Sequence, residues 1–276
     1  MTPSTARPST LSPNGAPAGV GGDGSFRIGL LQFAPQVRSE RENVRFIRSA
    51  VRGVTDATIV LPEFFLGSYR TYPLFFPEQD ELARPLEPLL AVSVEQRLRF
   101  VGSLPVRSHG RNFNRALVVG GGTISTAHDK VRLFGPELDV FSAGRSPHRL
   151  IDIGGLPSTV QICMDIADPV PVRAAAGAGV RLVLSPSTVS VAFLRVIHQA
   201  RALENQVVSV FCNRHGVDDD GTVYLGRSGI FLPDGTDVSV RADGDELALR
   251  TVRAEQLAAW SALQRGLVGS PAAPPG

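Results

Sequence analysis

The stretch FRIGLLQF, residues 26 to 33, is a near-continuous apolar run, which is typical of a β-strand covered on both of its faces. Shortly after it, Ser39 and Glu42 have the spacing of a capping box, and this spacing predicts a helix over about residues 40–53. The short apolar segment TIVLP, residues 58–62, predicts the next strand. A strand, a helix and a second strand in this order indicate an α/β layered fold.

The alternation of strands and helices continues along the chain. In the first half it predicts a weaker helix at 85–97, a strand at 99–106 and a hairpin of RALVVG and TISTAH. In the second half it predicts a strand in STVQIC (158–163), a short helix in PVRAAAGAGV, a strand in RLVLSPS, a helix in VAFLRVIHQARALENQ, a strand in VVSVFCN, then YLGRSGIFL and ELALRTV, and a helix near 253–264. A pure Rossmann or barrel order does not accommodate the paired strands at 99–128. Two stacked mixed sheets with helices outside do.

Composition sets limits on the class of protein. The chain has 276 residues, of which 43% are hydrophobic, enough for one domain over residues 26–267. Residues 1–25 and 268–276 lack apolar runs and are expected to be disordered tails.

The net charge of +2 gives no electrostatic footprint for nucleic acid or a membrane surface. No secretory signal or membrane span is recognisable, and two cysteines do not make a disulfide framework. We therefore expect a cytoplasmic protein.

One residue type is used in an unusual way. Of the 28 lysine and arginine side chains, only Lys130, in HDKVRLFGPE (128–137), is a lysine. Codon bias could leave a single lysine by chance. Alternatively, Lys130 performs a task to which a compact ammonium on a flexible stem is better suited than a planar guanidinium.

Three chemically active side chains occupy similar places in the predicted pattern. Glu63 follows the strand TIVLP, Lys130 follows TISTAH, and Cys163 closes STVQIC. Taken singly, a core cysteine, a solvated glutamate and a surface lysine are the commoner interpretations. Together they form a reactive set, because a thiol with a pKa of about 8.5 needs a base or a nearby cation. A carboxylate can take the thiol proton, and an ammonium can hold the oxyanion that forms when sulfur attacks carbon.

Three segments, LPEFFLGSY, HDKVRLFGPE and QICMDIADP, resemble the signature segments of the carbon-nitrogen hydrolase (nitrilase) superfamily in their order and spacing. Further similar segments, RFVGSLPVRSHGRNFNRALVV, RALENQVVSVFCNRHG and YLGRSGIFLPDG, extend the resemblance over about residues 26–265. The resemblance implies an αββα sandwich that forms a homodimer through its sheet-flanking helices. It also implies a cofactor-free enzyme acting on a small-molecule amide, carbamoyl compound or nitrile.

The resemblance implies a role for each matching residue. Glu63 matches the general base, Lys130 the oxyanion-stabilising lysine and Cys163 the nucleophile. Glu137 matches a second glutamate that orients substrate and lysine, and the backbone N–H of Met164 would complete the oxyanion hole. The implied reaction is attack by the cysteine on an amide carbon, loss of ammonia or an amine, and hydrolysis of the resulting thioester.

The sequence departs from the family pattern in three places. Met164 stands where the family often has an aromatic residue. Asp168-Pro169-Val170 stands where it often has Phe-Pro-Glu. The segment between Ser185 and the helix at about 191 is short. These departures concern the shape of the substrate pocket and the packing of the helix that follows the cysteine.

Other functions remain open at this stage. A histidine could activate the cysteine in a Cys-His-Asp hydrolase, and the candidates are His109, His128, His148, His198 and His215. A member of the fold could also have become a catalytically silent binding module.

Within the enzyme interpretation, N-carbamoyl hydrolases and nitrilases share the same residues, and amidase is preferred because it is the commonest activity among short family members. Arg70, Arg195 or Arg201 could bind a substrate carboxylate, although a helix-surface role is the default. No Cys or His pair has the spacing of a metal site.

Overall fold

Two six-stranded β-sheets pack face to face in the computed structural model, which describes residues 25–68, 76–253 and Leu257. The first sheet has the spatial order β14 (Glu246–Arg253), β1 (Ser25–Gln32), β2 (Ala57–Glu63), β3 (Arg99–Ser108), β4 (Arg111–Gly120) and β5 (Thr123–Asp129). The second has the order β13 (Asp237–Ser239), β12 (Gly229–Phe231), β9 (Val208–Cys212), β8 (Leu182–Pro186), β7 (Leu156–Val160) and β6 (Ile151–Ile153). A short pair, β10 (His215–Val217) and β11 (Val223–Leu225), lies apart.

Both sheets are mixed, as the sequence predicts. In the first, β1, β2 and β3 run parallel, whereas β3, β4 and β5 form an antiparallel meander and β14 pairs antiparallel with β1. In the second, β7, β8 and β9 are parallel and the outer pairs are antiparallel. The predicted sandwich of two mixed sheets is confirmed.

Helices cover the outer faces of the sandwich. They are α1 (Glu40–Ala50), α2 (Ala83–Glu95), α4 (Pro169–Gly177) and α5 (Phe193–Asn205), whereas α3 (Glu137–Val140) is a single turn in the segment after β5. Apolar residues of α1 and α2 form one core with the first sheet. A second core fills the space between the sheets and continues under α4 and α5. The layer order is therefore helix, sheet, sheet, helix.

The capping box at the start of α1 is confirmed. Ser39 Oγ accepts a hydrogen bond from the backbone N–H of Glu42, and the Ser39 N–H donates to Glu42 Oε2 at 2.8 Å. Val44 and Ile47 are buried against the first sheet, as their helical spacing requires. The helix ends at Ala50, three residues before the predicted end.

The prediction that Cys163 closes a strand is wrong. Strand β7 ends at Val160, and Cys163 begins a short 3-10 turn, Cys163–Ala167, here called the cysteine turn. The chain leaves the sheet because the Ile162 N–H donates to the side chain of Asp165, Oδ2, at 3.1 Å. Strand β6 was not predicted either. Its three residues are too few to show a period-two pattern.

Some predictions fall on residues that the structure does not describe. They are the two tails, except that Ser25 of the predicted N-terminal tail belongs to β1, and also Arg70. The predicted helix at 253–264 lies outside the described residues too, apart from Arg253, which ends β14, and Leu257. Among the described residues, no helix combines the length and the apolar composition that crossing a membrane requires.

Candidate active site

The carboxyl end of β2 places Glu63 inside the protein. A register shift between Val60 and Glu63 ends the regular pairing with β3, and the Glu63 side chain is fully buried. Its Oε1 accepts hydrogen bonds from Lys130 Nζ at 2.8 Å and from Asn114 Nδ2 at 2.7 Å. Its Oε2 is buried and has no hydrogen-bond partner among the described residues. One carboxylate oxygen is therefore anchored, and the other is available to accept a proton.

Lys130 is the residue after β5, and its backbone is held on both sides. Its N–H donates to the carbonyl of Asn114 at 2.9 Å, and its carbonyl accepts from the N–H of Gly144 at 2.8 Å. The ammonium contacts both oxygens of Glu137, at 2.8 and 2.7 Å, in addition to Glu63. Glu137 is itself fixed, because its Oε2 accepts from the Phe134 N–H at 2.9 Å. The lysine thus bridges two buried carboxylates.

This cluster contains two carboxylates and one ammonium in a site shielded from water. Burial, the largest effect, raises the pKa of Glu63, and the charge of Glu137 raises it further. The ammonium of Lys130 and the hydrogen bond from Asn114 act in the opposite direction. Two carboxylates that share one cation compete for it, so one of them holds a proton more tightly than a solvated acid does.

Cys163 lies at the first position of the cysteine turn, with a left-handed backbone (φ 49°) that is uncommon for a side chain with a Cβ. Its sulfur is buried and lies 4.0 Å from the carbonyl oxygen of Thr188. Burial raises the pKa of Cys163 well above its usual value. The negative charge of Glu63 raises it further, and Lys130 lowers it. The sulfur thus lies in the electrostatic field of both groups. Met164, the next residue of the turn, is half-buried and packs against the core between the sheets.

A single carboxylate, Asp165, ties the cysteine turn to the loop after Lys130. Its Oδ1 accepts from the N–H groups of Val131 at 3.0 Å and Arg132 at 2.6 Å. Its Oδ2 accepts from Ile162 N–H and lies 2.9 Å from His128 Nε2. Buried charge-assisted hydrogen bonds of this kind are roughly twice as strong as neutral ones. One side chain therefore links the turn that carries Cys163 to the loop that follows Lys130.

The histidines do not form a thiol-activating pair in the described structure. His128 contacts Asp165, and no histidine is a hydrogen-bond partner of the Cys163 sulfur among the described residues. His198 stacks on Phe211 and shares a hydrogen bond with Ser209. Burial lowers the pKa of His198 to about 3. It is a neutral core residue at physiological pH.

Arg214 fixes the backbone that follows Glu63. It is fully buried, and its Nη2 donates to the carbonyls of Glu63 at 2.6 Å and Phe64 at 3.1 Å, while Nη1 donates to that of Gly67 at 3.2 Å. Phe64 has a left-handed backbone (φ 55°). The guanidinium lies 5.2 Å from the ring centroid of Tyr224. Arg214 therefore holds an energetically unfavourable turn in place directly beside the Glu63 carboxylate.

Asp168, at one of the positions where the sequence departs from the family pattern, anchors the helix that follows it. Asp168 is the N-cap of α4, where its Oδ1 accepts from Val170 N–H at 3.0 Å, and its Oδ2 lies 2.6 Å from Arg132 Nη2. Asn, Asp, Ser and Thr are the preferred residues at this position. An acid and a base from neighbouring segments thus join the helix to the loop after Lys130.

The two described arginines considered for substrate binding have structural partners. Arg201 donates to the carbonyls of Ile166 and Ala167, at 3.3 and 3.1 Å. Arg195 pairs with Asp237 at 2.7 Å, outside the cluster around Lys130. The contacts therefore favour the framework interpretation for both.

Three residues of the site escaped the sequence analysis: Asn114, Asp165 and Arg214. Asn114 donates to Glu63 and, at 3.0 Å, to Glu137. A polar amide within the strand FNRALVV was the available signal, because an amide in a buried strand must find partners. For Asp165 and Arg214 the sequence offered no comparable contrast.

The sequence model of the carbon-nitrogen hydrolase family matches residues 27–262. The chain belongs to the carbon-nitrogen hydrolase family. The resemblance inferred from the three segments is thereby confirmed, and with it the general activity, hydrolysis of carbon–nitrogen bonds outside peptides.

Individual relatives of this carbon-nitrogen hydrolase are distant. A protein named hydrolase in pqqF 5'region, from Pseudomonas protegens, is 28% identical over 260 residues, which cover 90% of each chain. An (R)-stereoselective amidase from a Pseudomonas species is 28% identical over 217 residues, 74% of this chain and 76% of that protein. Among solved structures, the chain is similar to XC1258 from Xanthomonas campestris, a CN-hydrolase superfamily protein with an arsenic adduct in its active site. The TM-score is 0.78 at 23% identity, and the match covers 90% of this chain and 98% of that one. This last likeness establishes the fold.

Proposed function

We propose that this carbon-nitrogen hydrolase is a cofactor-free amidase that uses Cys163 as its nucleophile. The observation that carries the proposal is the position of the Lys130 ammonium, 2.8 Å from Glu63 Oε1 and in contact with both oxygens of Glu137. A buried ammonium that is held between two acids and whose charge acts on a buried thiol is suited to stabilising an anion that appears only during the reaction. The name of the Pseudomonas amidase supports the choice of an amide substrate.

The first half of the reaction forms a thioester. The Cys163 sulfur attacks the amide carbon as its proton passes to Glu63 Oε2, the oxygen without a partner among the described residues. The raised pKa of Glu63 suits it to accept and then return a proton. The carbonyl oxygen becomes an oxyanion, which Lys130 Nζ and the N–H of Met164 stabilise. Collapse of this intermediate breaks the carbon–nitrogen bond, and the leaving nitrogen takes the proton from Glu63.

The second half hydrolyses the thioester. Water enters where ammonia or an amine has left, and Glu63 takes a proton from it as the oxygen attacks the thioester carbon. The carbon–sulfur bond then breaks, the carboxylic acid leaves, and the sulfur recovers its proton from Glu63. Glu137 keeps the ammonium aligned throughout, because it contacts Lys130 with both oxygens.

The pattern of exposed apolar residues supports a homodimer formed through the outer helices of the second sheet. Phe193 and Val196 on α5 and Val170 on α4 are exposed, Val170 to 65% and Val196 to 64%. Large apolar side chains grouped on two neighbouring helices are typical of an interface between subunits. Cys163 and Cys212 are free thiols, which supports the proposal of a reducing, cytoplasmic compartment.

A panel of small amides, N-carbamoyl compounds and nitriles, assayed for ammonia or amine release and for acid formation, tests the function. We expect turnover of amides and none by Cys163→Ala, a change that removes little volume from the core. Preference for carbamoyl compounds or nitriles would replace the amidase assignment while keeping the chemistry. Full activity of Cys163→Ala would overturn the mechanism, and inactivity of the folded wild-type protein on the whole panel would favour a binding module.

A further inference from the structure

A cavity of about 470 Å³ lies at the edge of the first sheet. Its walls are the turn from β3 to β4, the end of β5 and residues 143–149. None of the side chains proposed for catalysis lines it. We call it the arginine pocket, because its basic lining residues are Arg111, Arg115, Arg145, Arg149, His109 and His128.

Positive charge in the arginine pocket exceeds negative charge. The carboxylate in its lining, Asp129, is already bound by Arg115, whose Nε and Nη2 lie 2.6 and 2.9 Å from its two oxygens. Arg111 donates to the neutral hydroxyl of Ser142 at 3.1 Å. Within residues 25–68 and 76–253, Arg111, Arg145 and Arg149 form no ion pair. Three arginines without an acidic partner among the described residues therefore line the same concave space.

Contacts within the protein hold two parts of the arginine pocket in place, the side chains around Phe113 and the backbone at Gly144. The guanidinium carbons of Arg111 and Arg115 lie 5.3 and 5.2 Å from the centroid of the same ring, that of Phe113. The opposite wall is seated on β5 through Gly144, whose N–H donates to the Lys130 carbonyl at 2.8 Å. A Cβ on Gly144 would lie 2.1 Å from the Asp129 carbonyl oxygen, so only glycine permits this approach. Like charges grouped in one concavity repel one another and attract an anion.

We propose that the arginine pocket binds a small molecule bearing a phosphate or diphosphate group. A guanidinium presents two parallel N–H donors that match phosphate oxygens, and several arginines around one space favour a multiply charged anion. The volume lies within the range of about 300–1,000 Å³ that is usual for small-ligand sites. The whole chain carries a formal charge of only +2, so the excess of positive charge in the pocket is a local feature. This site is separate from the proposed catalytic cluster and does not depend on the amidase assignment.

Calorimetric titration of the full-length protein with pyrophosphate and with inorganic phosphate, at constant ionic strength, tests the proposal. The test variant is the double substitution Arg145→Ala/Arg149→Ala. The matched control is Arg52→Ala/Arg84→Ala, which removes two other exposed arginines that lie outside the pocket. Malonate, a dianion without phosphorus, separates phosphate recognition from general attraction of anions.

We expect saturable binding of pyrophosphate with one site per chain by the wild type and by the control. The pocket variant should bind at least tenfold more weakly, and malonate should bind at least tenfold more weakly than pyrophosphate to the wild type. Absence of saturable binding at millimolar pyrophosphate would overturn the proposal. So would equal weakening in both double variants. Equal affinity for malonate would overturn the assignment to phosphate.

Discussion

Lys130 and Glu63, which are 67 positions apart in the sequence, meet at 2.8 Å inside the protein, and the lysine side chain is only 2% exposed. Removing an ammonium and a carboxylate from water costs several kcal/mol per ion, which is recovered only with good geometry and further hydrogen bonds. Glu137 and Asn114 provide those further contacts. A chain with 27 arginines and one lysine has placed that lysine in a buried cluster of charges. The contacts argue against codon bias as the explanation.

Lys130→Arg is expected to be folded and nearly inactive. A guanidinium is planar and larger than an ammonium, so it cannot contact Glu63 and both oxygens of Glu137 and still approach an oxyanion at the sulfur. Loss of one oxyanion donor typically lowers kcat by about 10²–10³-fold. Steady-state kinetics with the best amide of the panel measure the loss, and circular dichroism checks the fold. Activity within threefold of wild type would show that any cation suffices at residue 130.

Two substitutions next to Glu63 should shift the acid limb of the pH profile of kcat/KM in opposite directions. Glu63 must be ionised to act as a base, so activity falls as the pH drops through its pKa, which burial raises above the ordinary value of a glutamate. The Asn114 hydrogen bond lowers this pKa and the charge of Glu137 raises it. Asn114→Leu should therefore move the acid limb to higher pH, and Glu137→Gln should move it to lower pH. Shifts in the same direction would mean that Glu63 does not control the limb.

Much of the fold could be predicted from local sequence patterns. Where the prediction failed, a specific physical cause can be named. The buried strands and α1 were predictable because apolar runs and the Ser39 capping box act over a few residues. The exit of the chain from β7 before Cys163 was not, because it depends on the side chain of Asp165, which also binds the N–H groups of Val131 and Arg132.

The catalytic candidates could be named from the sequence, but their supporting contacts could not. Resemblance to the family pointed to Glu63, Lys130 and Cys163, and the structure places them around one cluster of charges. Arg214 lies 151 positions from Glu63, and its role depends on three carbonyls that only tertiary folding brings to it. Contacts of this kind leave no periodic signal in one sequence.

The two cysteines should differ in their reactivity with iodoacetamide. Both are buried and burial raises both pKa values, but Cys163 has Lys130 nearby to stabilise a thiolate. Cys212 is completely buried, and its sulfur donates to the Leu31 carbonyl at 3.4 Å. We expect peptide mass spectrometry to show labelling of Cys163 at least tenfold faster, and Lys130→Met to reduce this difference. Equal slow labelling of both would indicate a catalytically silent site.

Val196→Glu should convert the proposed homodimer into monomers. Val196 is 64% exposed on α5, so the change is tolerated by the isolated chain but would bury a charge in a subunit interface, which is costly without a partner. Light scattering coupled to size-exclusion chromatography measures the mass. Val94→Glu, at another exposed valine, on α2, is the control and should leave the dimer intact. A dimer that persists in Val196→Glu would place the interface elsewhere.

Arg214 should support catalysis by holding the turn after Glu63. Its guanidinium is buried and donates to three carbonyls of that turn, including Phe64 with its left-handed backbone. Arg214→Met leaves those carbonyls without their donor, and unpaired buried acceptors cost about 1–3 kcal/mol each. We expect the free energy of unfolding in urea to fall by at least about 2 kcal/mol and kcat to fall more than tenfold with little change in KM, because the base moves while the substrate still binds.

The matched control for this prediction is Arg195→Met, which removes an arginine paired with Asp237 outside the cluster around Lys130. It should change the stability by less than about 1 kcal/mol, as is usual for a partly exposed ion pair, and leave kcat unchanged. Low concentrations of guanidinium should partly restore kcat in a smaller variant, Arg214→Ala, because the free cation can enter the space left by the side chain and donate to the same carbonyls. Rescue of stability without rescue of kcat would separate the two effects and show that the turn contributes to folding alone.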